Sequence, residues 1–190
     1  MSSSTFLSTN SKVIVISIFL SVTLAIGYAQ ASSLPPAIQD KAEHYKELLA
    51  KWAADPAIVE AVKDSNRRDG IPEMNNTNWS KLSDDDPIIM WLNLSTEGKQ
   101  ITQWEQDPAI DKLNLRDLHA NLVASSYISG KPLLYNNATR APFKNGLKGP
   151  WADSEIKPDP TTHRMAVQIA VPVRDGDKVI GVLHSALLAQ

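Results

Sequence analysis

The chain has 190 residues, no cysteine and a formal charge of −2 from 19 basic and 21 acidic side chains. The missing cysteine excludes disulfides, thiolate metal sites, c-type haem attachment and cysteine nucleophiles. The interspersed charges provide no footprint for nucleic acid or for an anionic membrane surface.

The first 31 residues hold one basic side chain, Lys12, and no acid. An apolar run from Val13 to Ile26 follows, short of the roughly 20 residues that cross a bilayer. Ala29-Gln30-Ala31 then offers the small-x-small pattern that a signal peptidase accepts. Residues 1–31 are therefore expected to be a signal peptide cleaved near Ala31. Residues 32–190 are expected as one periplasmic or secreted domain, and retention of residues 13–26 as an anchor is the competing expectation.

After Leu34-Pro35-Pro36, Ile38, Ala42, Tyr45, Leu48, Leu49 and Trp52 recur at helical spacing. Asp55-Pro56 starts a second helix with Ile58, Val59 and Val62 on its apolar stripe, and Asp69-Gly70-Ile71-Pro72 ends it. A polar stretch closes on Asp86-Pro87, a further helix start. Ile88, Trp91, Leu92, Ile101 and Trp104 then predict a helical hairpin broken near Thr96-Glu97-Gly98. Asp-Pro-Ala-Ile occurs at 55–58 and again at 107–110, each time three residues after a tryptophan, and both are expected to cap helices.

The period then changes to two. Leu113, Leu115 and Leu118 lead to a turn at His119-Ala120-Asn121, with Asn121 the residue suited to a left-handed conformation. Leu122–Tyr127 returns as a strand. Met165, Val167, Ile169, Val171 and Val173 alternate with smaller or polar residues, Asp175-Gly176-Asp177 turns the chain, and Val179–Leu188 comes back. Helices followed by two antiparallel hairpins predict an α+β domain.

Between the hairpins runs Gly130–Asp159, too long for an ordinary connection. Its rings, Tyr135, Phe143 and Trp151, are interleaved with Asn137, Arg140, Lys148 and Asp153, a composition suited to a small-molecule pocket over the sheet. Arg140 and Lys148 suit a carboxylate, Asp153 an amine, and the rings apolar or cation–π walls. Each ring equally suits anchoring the loop, and each loop cation equally suits solvent. Tyr127, at the end of the second strand, completes the candidate set. His44, His119, His163 and His184 lack metal-ligand spacing, and no metal or cofactor is expected. His184, on the last strand, suits either the pocket or the core, and the core histidine is the preferred reading. Ser125 or Ser126 with His163 or His184 would make a nucleophile and base, but no nucleophile elbow surrounds either serine and catalysis is not expected. The sequons at Asn75, Asn78, Asn93 and Asn137 matter only in a eukaryotic secretory pathway.

Trp52-Ala-Ala-Asp55-Pro-Ala-Ile-Val-Glu-Ala-Val62, Asp117-Leu-His-Ala-Asn121-Leu-Val-Ala-Ser125 and Val171-Pro-Val173-Arg-Asp-Gly176 with Val179-Ile-Gly-Val182 together resemble the Cache family of extracytoplasmic sensor domains, the PAS-like domains also called PDC. The resemblance runs over Leu34–Leu188 and implies a long first helix, a PAS-like antiparallel sheet and a ligand pocket under the middle loop. The Arg-x-Trp-Tyr pattern of amino-acid-binding members is missing from Asn136–Trp151, so an organic acid, an amino acid or an amine all remain open as ligand. Signalling is expected through a separate partner, such as a membrane receptor or kinase, since no output domain follows the last strand. The alternatives are an interaction module without ligand and, behind it, a serine hydrolase.

Overall fold

The computed structural model describes residues 34–126 and 128–190. The proposed signal peptide with its site at Ala31, and Tyr127, lie outside the described residues.

Proline at the first helical position starts three of the helices, where its missing N–H has no partner to lose. α1 (Pro36–Ala53) turns Ala42, Leu49 and Ala53 into the core. α2 (Pro56–Arg68) begins at Asp55, whose carboxylate accepts the Ala57 N–H at 2.9 Å, and ends at Asp69 with φ 57°. α3 (Asn76–Ser80) is a single short turn that buries Trp79. α4 (Pro87–Leu94) is capped by Asp86 and α5 (Thr96–Trp104) by the Ser95 hydroxyl, which accepts the Gly98 N–H at 3.0 Å. The expected break at 96–98 thus falls at Ser95. Gly98 makes it possible, because a Cβ there would lie 2.2 Å from the Leu92 carbonyl oxygen.

The second Asp-Pro-Ala-Ile corrects the expectation of a helix. Asp107 accepts the Ala109 N–H at 2.9 Å, as Asp55 does with Ala57, but the chain then enters β1 (Ile110–Asp117). The local turn is shared; the residues after it differ. Alternating Leu113 and Leu115 demand a strand, whereas Val59 and Val62 continue a helical stripe. The tryptophans before the two turns meet, Trp52 and Trp104 stacking at 4.9 Å with planes 3° apart.

β2 (Leu122–Ser125), α6 (Ala141–Gly146), β3 (Trp151–Ala152), β4 (Lys157–Pro158), β5 (Met165–Asp175) and β6 (Lys178–Leu188) complete the chain. The sheet order is β2-β1-β6-β5-β3, with β4 also pairing β5, and every pairing is antiparallel. The two predicted hairpins are present and join through β1 and β6, giving the α+β architecture. In the first turn the left-handed residue is Ala120, at φ 69°, rather than Asn121. Asn121 is needed elsewhere: its backbone N–H and its amide both donate to the Asp117 carboxylate, at 2.9 and 3.2 Å.

Alternation gives the sheet two faces. Leu113, Leu115, Val167, Ile169, Val171, Leu183 and Leu187 face α1, α2 and α5 in the main core. On the other face α6 sets Phe143 against Ala170 and Val182. Gly146 permits this approach, since a Cβ there would stand 2.7 Å from a Val182 methyl and 2.9 Å from Ala170. α6 covers only part of that face.

Candidate ligand-binding site

The uncovered part is floored by polar side chains. β1 reads Lys112-Leu113-Asn114-Leu115-Arg116, so when its leucines enter the core the other three must face away. Asn114 is in register with His184 on β6, and Gln168 on β5 is in register with Ala186. The resulting floor lies under a cavity of about 300 Å³. Its walls are Pro132–Leu134, Asn137 and Arg140 with the start of α6 at Ala141 and Pro142, and the segment from Lys157 to Thr161. A polar floor, walls in which leucines and prolines are mixed with polar side chains, and this volume, at the small end of the usual range, suit a small organic molecule.

Arg116 organises the floor. Its guanidinium, 2% exposed, donates from Nε to His184 Nε2 at 3.2 Å and from Nη1 and Nη2 to the carbonyls of Tyr135, Leu134 and Ala120 at 2.6, 3.0 and 3.1 Å. Burial pulls its pKa down to about 9, which leaves it charged at neutral pH. The floor is thereby tied to the wall that carries Leu133 and Leu134. Lys112 is held by Asp159 at 2.6 Å. The Asp159 carboxylate also accepts from the backbone N–H groups of Thr161 and Thr162 and from Gln168. Burial pushes the Asp159 carboxyl up, but Lys112 and those donors outweigh it and hold the group below the usual carboxylate range. His184 is pushed well below the ordinary histidine value by burial first, then by Arg116 and Lys112, so its ring is neutral.

Of the residues singled out in the sequence, Asn137 and Arg140 line this cavity. Arg140 is exposed at the rim and has no ion-pair partner among the described residues. Tyr135 lies in a core cluster with Trp79 and Leu122, its hydroxyl accepting the Ile71 N–H at 2.7 Å. Phe143 packs under α6, and Lys148 is exposed beyond it. Trp151 and Asp153 line a separate groove against α1, where Asp153 is also 3.6 Å from Lys157. Sequence reasoning passed over Lys112, Asn114, Arg116, Asp159 and Gln168. The signal for the first three was there, in polar residues alternating with Leu113 and Leu115. His184, expected as a core histidine, is buried and also part of the floor.

The serine–histidine arrangement is not assembled among the described residues. Ser125 donates to Asn93 Oδ1 at 3.0 Å, Ser126 accepts the Ile128 N–H, and His184 is bonded to Arg116. Among the described residues no three His, Asp or Glu side chains gather as a metal site, and no helix is long and apolar enough to cross a membrane.

No protein-family model matches the chain, and no curated protein matches it in sequence. Among solved structures it is similar to the sensor domain of the V. cholerae histidine kinase DctB. That match has 19% identity and a TM-score of 0.52 over 80% of this chain and 49% of that one. The chain therefore spans about half the length of the DctB sensor domain. The sensory domain of the Campylobacter jejuni chemoreceptor Tlp3 with isoleucine bound matches at 12% identity and a TM-score of 0.42, over 80% of this chain and 60% of that one. The ligand-binding domain of the Pseudomonas fluorescens chemoreceptor CtaA in complex with L-serine matches at 13% and 0.40, over 79% and 55%. The DctB likeness shows a Cache-like fold, as the sequence resemblance implied.

Proposed function

We propose that this domain is an exported Cache-type sensor that binds a small carboxylate, an organic acid or an amino acid, in the cavity over its sheet. The bound state is passed to a separate membrane receptor or kinase. The observation that carries this reading is the cavity itself. It has a polar floor drawn from three adjacent strands, and a single free cation, Arg140, stands at its rim among the described residues. A guanidinium there offers a carboxylate two parallel hydrogen bonds. Cleavage near Ala31 belongs to the proposal and is tested by N-terminal sequencing of the exported protein.

Thermal melting of the exported protein against organic acids, amino acids, amines and purines tests the ligand. A true ligand at 100 times its Kd adds about 2.7 kcal/mol of stability. Arg140→Gln, an exposed change, should leave the unliganded melting temperature unaltered and weaken carboxylate binding about tenfold or more. A melting temperature that no compound moves would sink the proposal.

The second reading is a docking module without ligand, favoured by the exposed Met90, Trp91 and Leu94 on α4. It predicts that Trp91→Ala abolishes partner capture while no small molecule has any effect.

A further inference from the structure

One side chain of the floor has its hydrogen-bonding direction dictated by a neighbour. Arg116 has a single proton on Nε and points it at His184 Nε2. Arginine only donates, so Nε2 is an acceptor, and the one proton of the neutral ring sits on Nδ1. Nδ1 has no hydrogen-bond partner among the described residues, although His184 is only 4% exposed. Asn114, its register partner across β1 and β6, is 3% exposed and leaves Oδ1 unpartnered as well. Buried polar atoms without partners are rare in folded proteins. Here two belong to adjacent residues of one cavity floor.

We infer that Arg116 locks His184 in its Nδ1–H tautomer, and that His184 is thereby a fixed hydrogen-bond donor to a carboxylate or carbonyl oxygen of the bound molecule. The inference rests on the cavity being the ligand site. His184 touches the ligand; Arg116 acts through it as a positioning residue. Nδ1 is covered in the structure, and Asn114 is the neighbour that yields, because turning its amide costs no hydrogen bond at Oδ1. The amide nitrogen of Asn114 then supplies a second donor beside the first.

The charges facing the ring come from several elements. Arg116 and Lys112 stand beside it on β1, and Asp159, after β4, is taken by Lys112. Arg140 and Lys157 stand at the rim. None gives the ring a free negative charge, and burial disfavours its cationic form. A second proton would also have to displace the Arg116 hydrogen bond. The donor therefore keeps its direction through the pH range in which an ordinary histidine changes charge.

Nitrogen-15 NMR of the exported protein tests the lock directly, with His184→Leu identifying the resonances. His184 should show an unprotonated Nε2 and a protonated Nδ1 from about pH 5 to 8. A proton on Nε2, or titration of the ring in that range, overturns the lock whether or not anything binds. Acetate, succinate, L-alanine and L-glutamate serve as probes for the donor role. A carboxylate that raises the melting temperature should move the Nδ1–H resonance, and His184→Leu should weaken its binding about tenfold. If the melting temperature rises but the His184 resonances stay in place, the donor role fails and the cavity remains the ligand site. If no probe raises the melting temperature, the ligand reading itself fails and takes the donor role with it.

Discussion

The two faces of β1 are built from neighbouring residues and obey opposite rules. Toward the helices, Leu113 and Leu115 are fully buried among apolar side chains. Polar groups on that side are the exceptions: Ser185 has an unpartnered hydroxyl, Glu105 reaches across from the end of α5 to accept the Leu113 N–H at 2.8 Å, and Asp117 at the end of β1 accepts the Ser65 hydroxyl of α2 at 2.8 Å. Toward the cavity, Lys112, Asn114 and Arg116 are buried as well, but polar groups are the rule and hold one another in place. A face that stabilises by burial tolerates few polar atoms. A face that binds needs many of them, at defined positions, with some left over.

Adjacent substitutions on the two faces should separate these roles most sharply. Leu113→Ala removes a core side chain and should cost about 2–5 kcal/mol in urea unfolding, with affinity per folded molecule little changed. Asn114→Ala gives up no hydrogen bond at Oδ1 and should cost under about 1 kcal/mol, yet weaken ligand binding. Equal stability losses from the two would end the distinction.

The faces should also respond to pH in opposite directions. Burial raises the Glu105 carboxyl to about 7, so its contribution to stability is complete below its unfolded value near 4.5 and is lost as pH rises through about 7. The loss is bounded at about 3 kcal/mol by the size of that shift. Asp159 is shifted downward, so its contribution is present above the unfolded value and is lost as the solution becomes strongly acidic. His184, also shifted downward, carries the same sign as Asp159 from near its ordinary value down. Across a pH series of urea midpoints, Glu105→Gln should therefore remove the loss on the alkaline side and leave the loss on the acid side. An unchanged alkaline loss in that variant would assign the pH dependence to other groups. The smallest effect is expected at Lys148, exposed after α6, where Lys148→Ala should change stability by less than about 0.5 kcal/mol and leave binding intact; weakened binding would bring that loop into the site.

Most of the fold was legible because its signals are local. Asp-Pro at residues 55 and 86 caps helices, and alternation in 165–173 and 179–188 builds the long hairpin. The same local turn at Asp107 misled, because a cap motif specifies the turn and not the element after it. The site was legible in part. Its middle loop supplies Asn137 and Arg140, while its rings went to anchoring: Tyr135 and Phe143 are core residues, and Trp151 packs beside α6.

The amino-acid order by itself determined α1, α2, α4 and α5, the two hairpins and the α+β class, since capping, turns and periodicity act over a few residues. The short α3, α6, β3 and β4 carry no such signal and took shape only against the rest of the fold. Only tertiary structure decided that β1 would pair with β6 and set Asn114 beside His184, about 70 residues apart in the chain. It alone decided that the Arg116 guanidinium would spend its donors on carbonyls and an imidazole and no acid. The physical reason is range. A polar residue alternating with leucines says which face it takes, but its partner, its charge and its use depend on what the fold brings opposite.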